Sequence, residues 1–166
     1  SATDVHHNFV QRWNEASERL VEDGVWADSG RESLAFPTRA SATRGKSTVQ
    51  IQRTVHAGRY GDGRATPGGR PYDIVGGERS ILDQYLRAID AARRTIYIEN
   101  QSVPIVSVAL RLEAALRRGV EVIMVVPGEP EIHVREARRR GERRELFAQL
   151  GVLGGYNNFR LVGLAS

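Results

Sequence analysis

The chain contains no cysteine. Disulfides and thiolate metal sites are thereby excluded, and the redox compartment is left open. No apolar run reaches the ~18 residues that a membrane-spanning helix needs. No basic stretch followed by an apolar one opens the chain, so no signal peptide is visible. Lysine is almost absent: Lys46 stands alone against 23 arginines. That bias is expected of a GC-rich bacterial genome rather than of a special arginine role. The four histidines are His6, His7, His56 and His133. None sits in a His-Glu-x-x-His or comparable spacing, so neither a metal nor another cofactor is expected.

What remains is ordinary globular material. Hydrophobic residues make up 40% of the 166 and charged residues 27%, enough for one α/β domain over residues 1–166 with a sizeable core. The formal charge of +4 suits an anionic partner, either phospholipid headgroups or nucleic acid, without choosing between them.

The pattern along the chain alternates. Val5, Phe9, Trp13, Ala16 and Leu20 recur at helical spacing, with Gly24 past the end and Trp13 as a core anchor. Residues 24–47 are irregular. Residues 49–55 read as a strand. Residues 56–77 hold seven glycines, Pro67 and Pro71. So long a loop is either a mobile surface loop or a lid. From Ser80, a good N-cap with Asp83 three residues on, a helix runs over 80–94 with Ile81, Leu82, Tyr85, Leu86 and Ile89 on one face. A strand over 95–100, a helix over 105–118 closed by Gly119, a strand over 120–126, helical tendency over 131–150 and a strand over Phe159–Leu164 follow. The order β-α-β-α-β-α-β implies a mostly parallel sheet flanked by helices.

Three segments carry a resemblance. Thr95-Ile96-Tyr97-Ile98-Glu99-Asn100-Gln101 is an apolar strand with a polar carboxyl end, the edge at which open α/β sheets bind ligands. Asn8-Phe9-Val10-Gln11-Arg12-Trp13-Asn14 and Val49-Gln50-Ile51-Gln52-Arg53-Thr54 precede it. In this order they resemble the phospholipase D superfamily, in its Phe-x-x-Arg-Trp-Asn, Val-Gln-x-x-Arg-Ser and Ile-Tyr-Ile-Glu-Asn-Gln stretches. The fold implied is part of the phospholipase D fold. The activity implied is hydrolysis or transfer of a phosphatidyl group through a phosphohistidine, without a metal. Phospholipid is the implied substrate, and the cytoplasm or a peripheral membrane surface the implied location. Within this chain the resemblance places Glu99, Asn100 and Gln101 nearest the substrate pocket. The chain continues with Ser102-Val103-Pro104 where the family often has Tyr-Phe.

The family's catalytic signature, His-x-Lys-x4-Asp, is missing. The nearest look-alike, His133-Val134-Arg135, has Arg140 at the acid position, so nothing would orient His133. The chain is therefore expected to be the stretch between the two motifs: a fragment, inactive alone, that exposes an edge its parent covers and self-associates. Gly45-Lys46-Ser47 hints at a phosphate loop, but Ala40 stands where its first glycine belongs. Gly61 and Gly63 open a dinucleotide fingerprint that fails at Thr66. The six arginines from Arg135 to Arg144 form either a solvated helical face laced by i,i+4 pairs or an anionic-surface patch around Arg135, Arg139 and Arg143. No aromatics are interleaved with them, so nucleic acid is not expected. A non-enzymatic α/β module docking on an anionic surface through that helix is the competing reading.

Overall fold

The computed structural model describes residues 2–15, 33–102, 104–129, 132–142 and 144–164, apart from the side chain of His133. The chain divides into two compact units, Ser1–Leu82 and Asp83–Ser166. Among the described residues, no helix is long and apolar enough to cross a membrane.

In the first unit, helix α1 spans Ala2–Asn14. It buries Thr3, His7, Val10 and Gln11. The expected apolar face lies outward instead: Phe9 is 54% exposed and Trp13, expected as a core anchor, 45%, with their rings stacked. The reason is the partner. On its buried side α1 meets loop segments whose peptide groups must be hydrogen-bonded, with the Phe36 ring 4.8 Å from that of His7. Gln11 donates to the Asp62 carbonyl (2.6 Å), and Ser41 N–H donates to Thr3 Oγ1 (2.7 Å). The continuation through Ala16, Leu20 and Gly24 lies outside the described residues.

The strand expected over 49–55 shrinks to β1, Thr54–Val55, paired antiparallel with β2, Glu78–Arg79. Val49 and Ile51 are exposed. The segment thus forms a two-residue ribbon with the far end of the 56–77 loop, and the parallel sheet has three strands rather than four.

Helix α2, Ser80–Ala91, leads into the second unit. Ser80 does not act as an isolated N-cap. Its hydroxyl accepts from Arg53 N–H and sits 2.8 Å from Glu78 Oε1. Of the expected apolar face only Ile89 is buried, while Ile81 and Tyr85 are exposed. Then come β3 (Thr95–Glu99), α3 (Val106–Arg117), β4 (Glu121–Pro127), α4 (Ile132–Arg139), α5 (Arg144–Gly154) and β5 (Phe159–Leu164). The sheet is parallel in the order β3-β4-β5, with Ile98 beside Met124 and Met124 beside Leu161. The fold is mixed α/β, with helices flanking this sheet, as the alternation of patterns predicts.

Its core is Leu112, Ala115 and Leu116 of α3, Val122 and Met124 of the central strand β4, and Leu146 and Leu153 of α5. α3 ends as the sequence predicts. Gly119, at φ +85°, donates to the Leu116 carbonyl and Val120 to that of Ala115, which is a Schellman closure. Asn158 completes the end, donating from its amide to the carbonyls of Leu116 (3.0 Å) and Val120 (2.8 Å). Glu113, on the buried side of α3, accepts from Gln149 (2.7 Å), Arg117 and Tyr156 (3.1 Å). The Gln149 amide foremost, with Arg117 and Tyr156, holds its carboxyl below the usual range. The helical tendency over 131–150 breaks into two helices, because Gly141 turns the chain at φ +73°.

Candidate functional site

Parallel strands end at one edge of a sheet, and there the second unit has a cleft of about 330 Å³. It is lined by Glu99, Asn100 and Gln101 after β3, by Val125, Val126 and Pro127 of β4, and by Leu164 of β5. Backbone bonds fix its floor: Asn100 N–H donates to the Val125 carbonyl (3.1 Å) and Gly128 N–H to that of Leu164 (2.8 Å).

The three polar side chains differ in what they have left to offer. Tyr97 and Glu99, two apart on a strand, share a face. The Tyr97 hydroxyl donates to Glu99 Oε2 at 3.0 Å, and that bond pushes the phenol up from its ordinary range. Glu99 is thus oriented by a tyrosine; no arginine pairs with it among the described residues. The Asn100 amide donates to the Ser102 carbonyl (2.9 Å) and leaves its own oxygen open. Gln101 is exposed and makes no hydrogen bond among the described residues, so its amide remains a donor. The lining contains apolar walls, one carboxylate and two carboxamides, with no histidine and no cation. It can orient a ligand, and Glu99 is the one titratable side chain that the described lining offers.

The arginine candidates are elsewhere. Arg135 and Arg139 are exposed on α4, outside the cleft lining, and Arg143 lies outside the described residues. Among the described residues, no group of three or more His, Asp or Glu side chains could hold a metal.

The first unit has its own cleft, about 430 Å³, whose lining includes Asp4, His7, Asn8, Arg53, Tyr72 and Glu78. Arg53 organises it. The guanidinium donates to Glu78 Oε2 (2.6 Å), Asn8 Oδ1 (2.8 Å), Gln11 Oε1 (2.8 Å) and the Tyr72 hydroxyl. The rings of Tyr60 and Tyr72 flank it. His7 is 2% exposed, and its Nε2 has no partner among the described residues. Burial, then the neighbouring charge of Arg53, pushes its imidazole down. In the sequence Arg53 is marked only by its place in Val-Gln-x-x-Arg-Thr. The carboxylate that fixes it is 25 residues away, beyond any local pattern. Tyr97, by contrast, stands at the i−2 position of Glu99, a spacing that was there to be read.

No family model and no solved structure matches this chain. Phospholipase D alpha 2 of Oryza sativa subsp. japonica is 28% identical over 161 residues, which covers 90% of this chain and 19% of that protein. The chain therefore spans about a fifth of the length of the curated relative it matches, and it is distantly similar to part of a plant phospholipase D.

Proposed function

We propose that this chain is an internal part of a phospholipase D-like phosphodiesterase that hydrolyses or transfers phosphatidyl groups. The observation that carries the reading is the run of three family-like segments in family order, ending at Glu99-Asn100-Gln101. It is supported by the similarity to the rice protein over nearly the whole chain. The two His-x-Lys-x4-Asp motifs would come from the rest of a longer protein. One histidine attacks phosphorus and the bond to the leaving oxygen breaks. The second histidine protonates that oxygen, and water or an alcohol then takes the phosphatidyl group.

The chain's own residues suit supporting roles. A carboxylate repels a phosphodiester, so Glu99 suits accepting an imidazole N–H and steadying the ring. The Gln101 amide suits donating to a phosphate oxygen. Asn100, with its amide turned to Ser102, suits holding the turn that presents both.

The test is the longer reading frame around this chain, expressed and assayed for headgroup release from phosphatidylcholine. Expected are both histidine motifs, an acid-labile phosphohistidine, and a turnover that Gln101→Ala lowers about 10²-fold, the size of one lost transition-state donor at the weak end. The 166-residue chain alone releases none. A longer frame with neither motif, or release by the isolated chain, refutes the reading.

A further inference from the structure

Helix α4 (Ile132–Arg139) carries charges that nothing described in the molecule neutralises. At about 100° per residue, Ile132, Arg135, Arg138 and Arg139 fall within an arc of about 120°. Ala137, the buried residue of this helix, lies on the other side. All four are exposed, Ile132 at 67%. Of the carboxylates in and just after this helix, Glu136 and Glu142 both pair with Arg140, at 3.6 and 3.9 Å. Arg135, Arg138 and Arg139 have no ion-pair partner among the described residues. A solvated face laced by i,i+4 pairs would match each arginine with a carboxylate. Here like charges stand at i,i+4, which works against the helix, and an exposed isoleucine sits among them.

We infer that this face docks on an anionic phospholipid surface. The three guanidiniums meet headgroup phosphates, and Ile132 among them enters the interfacial layer. The face has no aromatic side chain on which a base could stack. Its position adds a consequence. Five peptide steps separate Pro127, at the cleft, from Ile132, so the helix begins within about 18 Å of the sheet edge that bears Glu99 and Gln101. A docked membrane lies beside that edge. The docking stands whether or not the longer protein cleaves lipid, and binding is read without turnover.

The test is co-sedimentation of the 166-residue chain with vesicles of equimolar phosphatidylserine and phosphatidylcholine, against vesicles of phosphatidylcholine alone. Each arginine near such a surface contributes about fivefold to partitioning (~1 kcal/mol). Replacing Arg135, Arg138 and Arg139 together by glutamine should therefore cost about 10²-fold on the anionic vesicles. A control triple removes the same charge at exposed Arg44, Lys46 and Arg70 and should cost only a few-fold. Both triples should keep the parental circular dichroism, because the replaced side chains are exposed. Equal losses in the two triples, equal binding to both kinds of vesicle, or no vesicle binding each overturn the inference. So does tight binding to duplex DNA, lost in the first triple, with no vesicle binding.

Discussion

Arg53→Ala should unfold the first unit more readily than any other single polar truncation there. The change deletes a guanidinium with four acceptors: Glu78, Asn8, Gln11 and Tyr72. Hydrogen bonds to charged groups are worth about 1.5–3 kcal/mol each, yet they do not add when the partners can recover water. The Arg53 and Glu78 side chains are 16% and 28% exposed, so part of that pair is recovered and its Coulomb share is screened. Gln11 is fully buried, and its Oε1 keeps only the long contact from the Tyr72 hydroxyl (3.4 Å). A loss of about 3 kcal/mol results, below the simple sum but at the level of a broken, largely buried pair. Arg53→Lys keeps a charge near Glu78 but lacks the fork that reaches Gln11 and Tyr72 together, and should lose about half as much. Urea unfolding read by tryptophan fluorescence measures both, because Trp13 belongs to this unit. A loss under about 1 kcal/mol for Arg53→Ala, with an unchanged slope, would show that the network is surface decoration and refute the reasoning.

Leu112→Ala, at a fully buried position of α3, should cost about 3 kcal/mol, read by circular dichroism melting; a cost below about 1 kcal/mol would mean the α3 face is not the core. The His7 imidazole is pushed down from 6.5 in the folded chain, so on acidification the unfolded chain takes up a proton first. Stability should therefore fall as pH drops below 6.5 toward the depressed value and be flat above it for this group, and His7→Phe should flatten the acid limb of a urea-midpoint titration. On the outer strand β5, Leu161, Val162 and Leu164 are exposed and pair only with β4. An apolar edge of that kind invites another copy, so sedimentation at micromolar concentration should give more than 18.4 kDa, and a stable monomer would count against it.

Local signals carried most of the second unit. The apolar run of β4, the Gly119 closure of α3 and the bounds of β5 are written within a few residues of themselves, and the sequence reading met the structure there. Most of the differences concern partners that are distant in the chain. The apolar stripe of α1 is real, but the helix meets peptide groups of a glycine-rich loop, so its polar stripe turns inward. Residues 49–55 have strand composition, but they find only two residues to pair with. Helical propensity over 131–150 continues past Gly141, while the backbone there does not. For the cleft, the position of Glu99-Asn100-Gln101 at a strand's end could be read from where apolar residues stop. Which of their polar atoms stay open is set by rotamers: the Tyr97 and Ser102 spacings are local, but only the structure shows that Tyr97 engages Glu99 and that the Asn100 amide turns to Ser102.

The charge of the cleft constrains what the proposed enzyme must supply. Its lining contributes one carboxylate, two carboxamides and no cation. Glu99 is exposed and screened by solvent, yet its like charge still disfavours a phosphodiester, and no donor in the described lining carries compensating charge. Cations on α4 do not line it. On the proposed reading, the positive field for the phosphate must therefore arrive with the histidines and lysines of the two motifs, and Glu99 then faces an imidazolium rather than the substrate. The same carboxylate that would exclude substrate from this chain alone becomes a positioning group once the ring is present. On the proposed reading, the longer protein should therefore depend on Glu99. Glu99→Gln in the longer protein should lower turnover and shift the acid limb of its pH profile, with little change in substrate binding. An unchanged pH profile would leave Glu99 as no more than the partner of Tyr97.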